Sequence, residues 1–244
     1  MFDIFVDVLI NLNNVIGNLG VTLIVIGVVS RIVFYPFTLS SIRQSQKMRD
    51  IKPKLEVLKK KHGNDKKKMA EEQAKLYRKA GINAAGCLAP IVQLVIAIVL
   101  FQVLLRLLNT DIQTSFLIWD LAQPDTFNLS GVPFGLPGVL VFLTAVATFV
   151  QAKMTLPAPI HGYKSDSPKE KEEKKDLTDA LTASQGQMVF LFPFLILFTG
   201  TLFPSGLALF WTVSTLLGII QQYYIAGWGG FEPWINKIWK KAKN

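Results

Sequence analysis

The sequence predicts an all-α integral membrane protein with five transmembrane helices, and three observations carry that prediction. Half of the 244 residues are hydrophobic while the net charge is +9, so apolar and basic residues must be segregated along the chain. Five stretches, 17–39, 87–108, 137–156, 187–204 and 206–226, come close to the about 20 apolar residues that span a hydrocarbon core at ~1.5 Å rise each. Lysine and arginine concentrate in alternate connecting segments, which fixes an orientation. The same composition excludes other classes. One cysteine, Cys87, allows no internal disulfide framework, and two histidines without a neighbouring Cys or acidic cluster offer no metal site. No cofactor is expected.

Residues 1–16 carry Asp3 and Asp7 and no basic residue, so they are placed outside and lack the basic n-region of a signal peptide. Either the chain starts N-out unaided or a signal was removed before Met1. Ile4, Phe5, Val8, Leu9, Leu12 and Val15 recur at helical spacing, suiting an external interfacial helix; a frayed first turn of the first span reads the same way.

The first span, 17–39, leads into a segment too long to be a simple connector. Residues 40–85 hold fourteen Lys and Arg against five Asp and Glu, which makes the segment cytoplasmic. Ile42, Met48, Ile51, Leu55 and Leu58 form one stripe, and Met69, Gln73, Leu76 and Tyr77 a second, with a turn signal at His62-Gly63-Asn64-Asp65. A basic helical hairpin follows, with Lys47, Arg49, Lys52, Lys59, Lys60 and Lys61 as its candidate capture residues. Charge alone suits it to anionic lipid heads, ribosomal RNA or acidic partners; a solvated face that merely enforces topology is the alternative.

Residues 86–226 contain spans two to five. The loop 109–136 has Asp111, Asp120 and Asp125 and no Lys or Arg, so it is external, whereas 157–183 is a cytoplasmic loop of mixed charge without visible chemistry. Pro204-Ser205-Gly206 reads as a tight turn between spans four and five. The tail 227–244 carries Lys237, Lys240, Lys241 and Lys243 and returns to the cytoplasm, with Trp234 and Trp239 suited to the headgroup layer. All segments agree on N-out, C-in.

Polar residues inside the spans are costly and therefore informative. Arg31 is the extreme case, lying roughly 13 Å from the cytoplasmic end of its span and costing about 2.5–3.5 kcal/mol at a helix centre. No acidic residue occurs in any other span to neutralise it. An unpaired guanidinium at that depth should face water in a cavity, the alternative being bonds to backbone carbonyls or lipid phosphate. Ser30 stands beside it, and Gln93, Gln102, Gln151 and Gln221 are the intramembrane amides. Interhelical packing bonds are the first expectation for such amides. Gln93 is the exception, because it lies at a depth comparable to Arg31 and a cytoplasm-open cavity would expose both.

At this point the motifs Ser30-Arg31-Ile32-Val33-Phe34-Tyr35-Pro36-Phe37, Ser45-Gln46-Lys47-Met48 and Ile51-Lys52-Pro53-Lys54 resemble the approach to the cytoplasmic hairpin of YidC/Oxa/Alb-type membrane protein insertases. Leu76-Tyr77, Gly81-Ile82-Asn83, Gly86-Cys87-Leu88, Pro90-Ile91-Val92-Gln93, Phe203-Pro204-Ser205-Gly206-Leu207-Ala208-Leu209-Phe210-Trp211 and Gln221-Gln222-Tyr223-Tyr224 extend the resemblance over residues 30–226. It departs at Asn83-Ala84, where many members have Asn-Pro, at Gln93-Leu94-Val95, which lacks a following proline, and at the extra Ala89. The resemblance implies five helices around a hydrophilic groove open to the cytoplasm and to lipid, in a compact bacterial form. Within it Arg31 is the groove arginine, Gln93 its polar companion and Trp211 the aromatic residue of the fifth helix, with Ser30 and Gln221 nearby.

The implied function is insertion and folding of nascent membrane proteins without nucleotide hydrolysis, in the bacterial plasma (inner) membrane. Expected partners are nascent chains with short, often acidic translocated segments and anionic lipids, with the ribosome and the Sec translocon as secondary candidates. No specific nucleic-acid sequence is expected, and a monomer suffices. A small-solute channel or secondary transporter would usually show paired acids, broken helices or repeats. A membrane enzyme would need a His or acid near Cys87 or Ser30. Neither pattern is present in the sequence.

Overall fold

The computed structural model of the chain describes residues 2–62, 65–82, 88–107, 113–128, 135–155 and 189–242. Cys87, Gly63 and Asn64 of the expected turn, and the segment 157–183 expected as a cytoplasmic loop lie outside them. The described fold is mostly helical: α1 Phe2–Ile16, α2 Leu19–Val33, α3 Tyr35–His62, α4 Lys66–Lys79, α5 Leu88–Leu107, α6 Val139–Thr155, α7 Val189–Thr199, α8 Ser205–Ala226 and α9 Glu232–Ala242. Two short antiparallel ribbons lie between α5 and α6, pairing β1 Ser115–Phe116 with β2 Trp119–Asp120 and β3 Thr126–Phe127 with β4 Leu136–Pro137. These ribbons have no counterpart in the sequence reading.

Among the described residues no single helix is long and apolar enough to cross a membrane. The stretch expected as one span, 17–39, is divided: α2 and the first part of α3 meet at a 65° bend and only together reach the required length. Pro36 explains the break. Continued straight, its ring would meet the carbonyl four residues back, that of Ile32; in the first turn of a new helix its missing N–H costs nothing.

The corner between α1 and α2 is built by local bonds. Gly17 takes a positive φ of 74°, and the Asn18 side chain accepts from Val21 N at 3.1 Å as the N-cap of α2. The buried Thr22 hydroxyl reaches back to Asn13 Oδ1 at 3.2 Å.

The ribbon segment closes one end of the bundle through backbone groups and one carboxylate. Ser205 N donates to Gln123 O and Gly206 N to Leu121 O, so the first amides of α8 are satisfied by this loop. Asp125 caps α6: its Oδ2 accepts from Leu140 N at 2.6 Å and Val141 N at 3.2 Å, while its Oδ1 accepts from Trp119 Nε1 at 3.1 Å. A carboxylate on orphan helix amides also complements the helix dipole. Asp125→Ala therefore should destabilise the fold by about 1–2 kcal/mol, read as a lower melting temperature in detergent, with Asp125→Asn retaining part of the loss.

The apolar core lies at this closed end. Leu19 and Leu23 of α2, Leu100, Val103 and Leu104 of α5, Leu121 of the ribbon segment, Leu140 of α6 and Leu209 and Phe210 of α8 pack together, with Leu9 of α1 beside them. The α6–α8 seam becomes polar away from that end. Thr144 and Thr212 share a 2.6 Å hydroxyl bond, and one helix end further Thr155 donates to Gln222 at 3.2 Å. Hydroxyls that bond across helices or to their own i−4 carbonyls let the backbones approach closely without an unsatisfied group.

Candidate functional site: a half-buried arginine between three helices

Arg31 sits in the last turn of α2, about three turns beyond the buried Leu19 and two beyond Leu23, at the opposite end of the helix from the ribbon-capped core. Its helix leans on α8 through Gly27, where a Cβ would come 3.2 Å from Val213 Cγ1, 3.5 Å from Ser214 Oγ and 3.7 Å from Phe210 Cδ2. One turn on, the guanidinium occupies the space above Gly218 of α8. A Cβ at Gly218 would lie 2.9 Å from Arg31 Nη2 and 3.0 Å from its Cζ, and would overlap Gln151 Nε2 of α6. Three helices thus deliver an arginine, an amide and a bare backbone to one place. The Gln221 amide completes it, its Nε2 3.5 Å from the Arg31 carbonyl oxygen.

The polar atoms here are incompletely paired. Arg31 Nε, Gln221 Oε1, Ser214 Oγ and Thr148 Oγ1 are buried without a hydrogen-bond partner among the described residues. No described acidic side chain forms an ion pair with Arg31; the described ion pairs are Lys68–Asp65 and Lys75–Glu72 in the hairpin. A buried polar group that stays unpaired costs about 1–3 kcal/mol, and more when charged. Four such atoms along one stretch of α2, α6 and α8 mark a place where water or a ligand group has partners waiting.

Other residues singled out in the sequence lie elsewhere. Ser30 turns its hydroxyl onto its own helix, donating to Gly27 O at 2.9 Å. Gln93 belongs to α5, and its side chain lies outside the described residues. Trp211 lines an apolar cavity of about 190 Å³ between α5, α6, α7 and α8, with Phe101, Val141, Ile196, Phe203 and Leu207, and its ring stands 6.3 Å from that of Phe192. Two turns of α8, about 10 Å at ~1.5 Å per residue, separate Trp211 from Gly218. Gln151, expected only to lock packing, is the amide brought to Arg31. Its spatial partner is a glycine 67 positions away, which no local pattern reveals.

The basic hairpin divides into a base and a tip. At the base, Gln46 Nε2 donates to Ile225 O at 3.2 Å, and the half-buried Arg49 lies against Gly229 beside the Met154 carbonyl, with Asp50 and Glu232 as its nearby acids. Lys47 donates to Gly81 O at 3.2 Å, joining α3 to the end of α4. Lys61 is exposed near the tip, and the side chains of Lys52, Lys59 and Lys60 lie outside the described residues. On exposed α4, Glu72 accepts from Lys75 at 2.7 Å, and that bond holds the carboxyl below its ordinary value. Lys153 reaches the rings of Trp234 at 5.2 Å and Phe190 at 5.9 Å, so the C-terminal helix folds back on α6 and α7. Trp234 also stacks on Phe231, whereas Trp239 is 69 % exposed.

The described fold is a helical bundle with an apolar, capped end, a half-buried arginine without a described ion-pair partner toward the other end, and a basic hairpin beside it. Residues 11–229 match the family described as 60Kd inner membrane protein, and the chain belongs to that family. It is 31% identical over 216 residues to the membrane protein insertase YidC of Nitrosococcus oceani, covering 87% of this chain and 34% of that one. The YidC of Fusobacterium nucleatum is 31% identical over 211 residues, covering 86% of this chain and 87% of that one. A solved structure, described as an active YidC insertase crystal structure with the first transmembrane domain resolved, is similar at TM-score 0.58 and 26% identity over 91% of this chain and 45% of that chain. The chain thus spans about a third of the length of several curated relatives and most of the length of the Fusobacterium one.

Proposed function

We propose that this chain is a membrane protein insertase and chaperone of the bacterial plasma (inner) membrane, working through a positively charged groove. In this reading five helices cross the bilayer, α2 with the start of α3, α5, α6, α7 and α8, with the N-terminus outside and the hairpin and α9 in the cytoplasm. The observation that carries it is the half-buried Arg31 with its buried, unpaired Nε, set among the unpaired Gln221 Oε1, Ser214 Oγ and Thr148 Oγ1. Atoms of that kind in a bilayer are tolerated where they line water or protein. The resemblance to insertases supports the same reading.

The mechanism follows from electrostatics. A polar, often acidic tail crossing hydrocarbon loses its hydration, at several kcal/mol or more per ionised group. A half-depth aqueous groove shortens the dry path, and Arg31 offers each carboxylate a charge-assisted partner in a medium of low dielectric. The apolar segment behind the tail leaves sideways into lipid along α6 and α8. Its burial, at about 25 cal/mol per Å², drives the step without nucleotide. A potential positive outside adds about 2.3 kcal/mol per negative charge per 100 mV. In the same reading the exposed hairpin lysines, Lys61, Lys67 and Lys68 among them, meet anionic lipid, the nascent chain, the ribosome or the Sec translocon, and one copy of the chain suffices.

Depleting a resident insertase and expressing this chain tests the proposal. Restored insertion of a small single-span protein with an acidic N-terminal tail is the expected result. No rescue by well-expressed, folded protein would overturn it.

A further inference from the structure

We propose that Gly218 is a positioning residue: the absence of its side chain is what sets where the Arg31 guanidinium stands. The proposal rests on the reading of Arg31 as the partner of translocated acidic groups. Gly218 lies mid-helix in α8 with ordinary helical geometry, so no positive φ requires a glycine there. A glycine in a helix interior costs about 0.5–1 kcal/mol relative to alanine, which makes its presence informative. Its neighbours supply the reason. Three atoms of two side chains, Arg31 Nη2, Arg31 Cζ and Gln151 Nε2, fill the space a methyl group would take.

The kind of atom met there matters as much as the distance. At Gly229 an added methyl meets the Met154 carbonyl, and at Gly200 it meets the Ile196 carbonyl 2.7 Å away, both backbone. At Gly218 the nearest atoms are only the far ends of two flexible side chains, which swing aside while the helices stay in register. Gly218→Ala therefore moves the charge without dismantling the bundle. Gln151 stands on the α6 side of Gly218 and Gln221 follows it by three residues on α8, so a displaced guanidinium moves off the place that these two amides flank.

The test uses the full chain in insertase-depleted cells with two single-span substrates, identical except for an acidic or an uncharged N-terminal tail. Gly218→Ala is expected to lower the ratio of acidic-tailed to uncharged-tailed insertion about tenfold, the scale of coupling between contacting groups. Adding Gln151→Ala, which removes the closest of the three contacts and leaves the guanidinium room to shift by a few tenths of an ångström within the polar strip, is expected to restore the ratio to that of Gln151→Ala alone within about threefold. An equal loss on both substrates, or an unchanged ratio, would overturn the proposal. Should Gly218→Ala fail to accumulate, the double variant is read instead. Its own failure to accumulate would also overturn the proposal, because backbone rather than side-chain ends would then be meeting the methyl. If the unaltered chain inserts neither substrate, the functional reading falls and this inference with it; if it inserts both, the ratio alone decides Gly218.

Discussion

Arg31→Glu is expected to abolish insertion of acidic-tailed substrates, with Arg31→Ala intermediate and Arg31→Lys the least affected of the three. Each step removes one physical contribution. Lysine keeps the charge but loses the planar fork that holds a carboxylate in two bonds. Alanine removes the charge and leaves the groove to water, Gln151 and Gln221. Glutamate sets like charge against like, and in a site of low dielectric that repulsion adds to the barrier that the acidic tail must cross. A loss of two orders of magnitude or more corresponds to about 2.7 kcal/mol, within the about 1.5–3 kcal/mol typical of a single charged hydrogen bond plus a modest repulsion. The measurement is the protease-protected fraction of substrate in depleted cells. Substrates with uncharged tails should suffer far less, and full activity of Arg31→Glu on acidic tails would mean that the charge is not the mechanism.

Gly229→Ala should be the most destabilising glycine substitution near the hairpin base. Gly229 has a φ of 52°, and a Cβ there would overlap both Arg49 Nη1 and the Met154 carbonyl oxygen. The left-handed conformation alone costs a side chain roughly 1–2 kcal/mol, and the carbonyl cannot move without unwinding the end of α6. Gly227 is the internal control, since it shares the positive φ of 64° but has nothing within 4 Å of its Cβ position. Melting in detergent should therefore rank wild type above Gly227→Ala and Gly227→Ala above Gly229→Ala. The second should also loosen the hairpin, seen as faster proteolysis between α3 and α4. Equal effects of the two substitutions would mean that strain, and not the Arg49 and Met154 contacts, governs this junction.

Much of this was legible in the sequence, for identifiable reasons. Apolar runs and the helical stripes of the hairpin arise within a dozen residues, and α3 and α4 flank the turn signal at 62–65. The anomaly at Arg31 needed only the cost of a charge in hydrocarbon and the lack of an acid in any other span. Features built from distant residues were not legible. The ribbons between α5 and α6 are two residues long and are held by the amides of Ser205 and Gly206 and by the Asp125 cap, not by any strand-like alternation. Asp120 and Asp125 counted in the sequence as charges that mark a side; in the fold Asp125 is a helix cap and the Asp120 backbone carbonyl holds the Ser205 hydroxyl. Arg49 counted as one more basic hairpin residue, because composition cannot distinguish an exposed cation from one seated on Gly229. Gly218 was invisible for a simpler reason: its contribution is a missing side chain, which becomes meaningful only once Arg31 and Gln151 are seen to fill the gap.

The proposed mechanism depends most on water reaching Arg31 from the cytoplasmic side. With Cys87 replaced by serine and a single cysteine placed at position 31, a membrane-impermeant thiol reagent is the direct probe. A cytoplasm-open groove predicts labelling from the cytoplasmic face of inverted vesicles, with little from the opposite face of right-side-out vesicles. A cysteine at position 31 that stays inert from both faces, while one at exposed Lys61 labels fully, would contradict it.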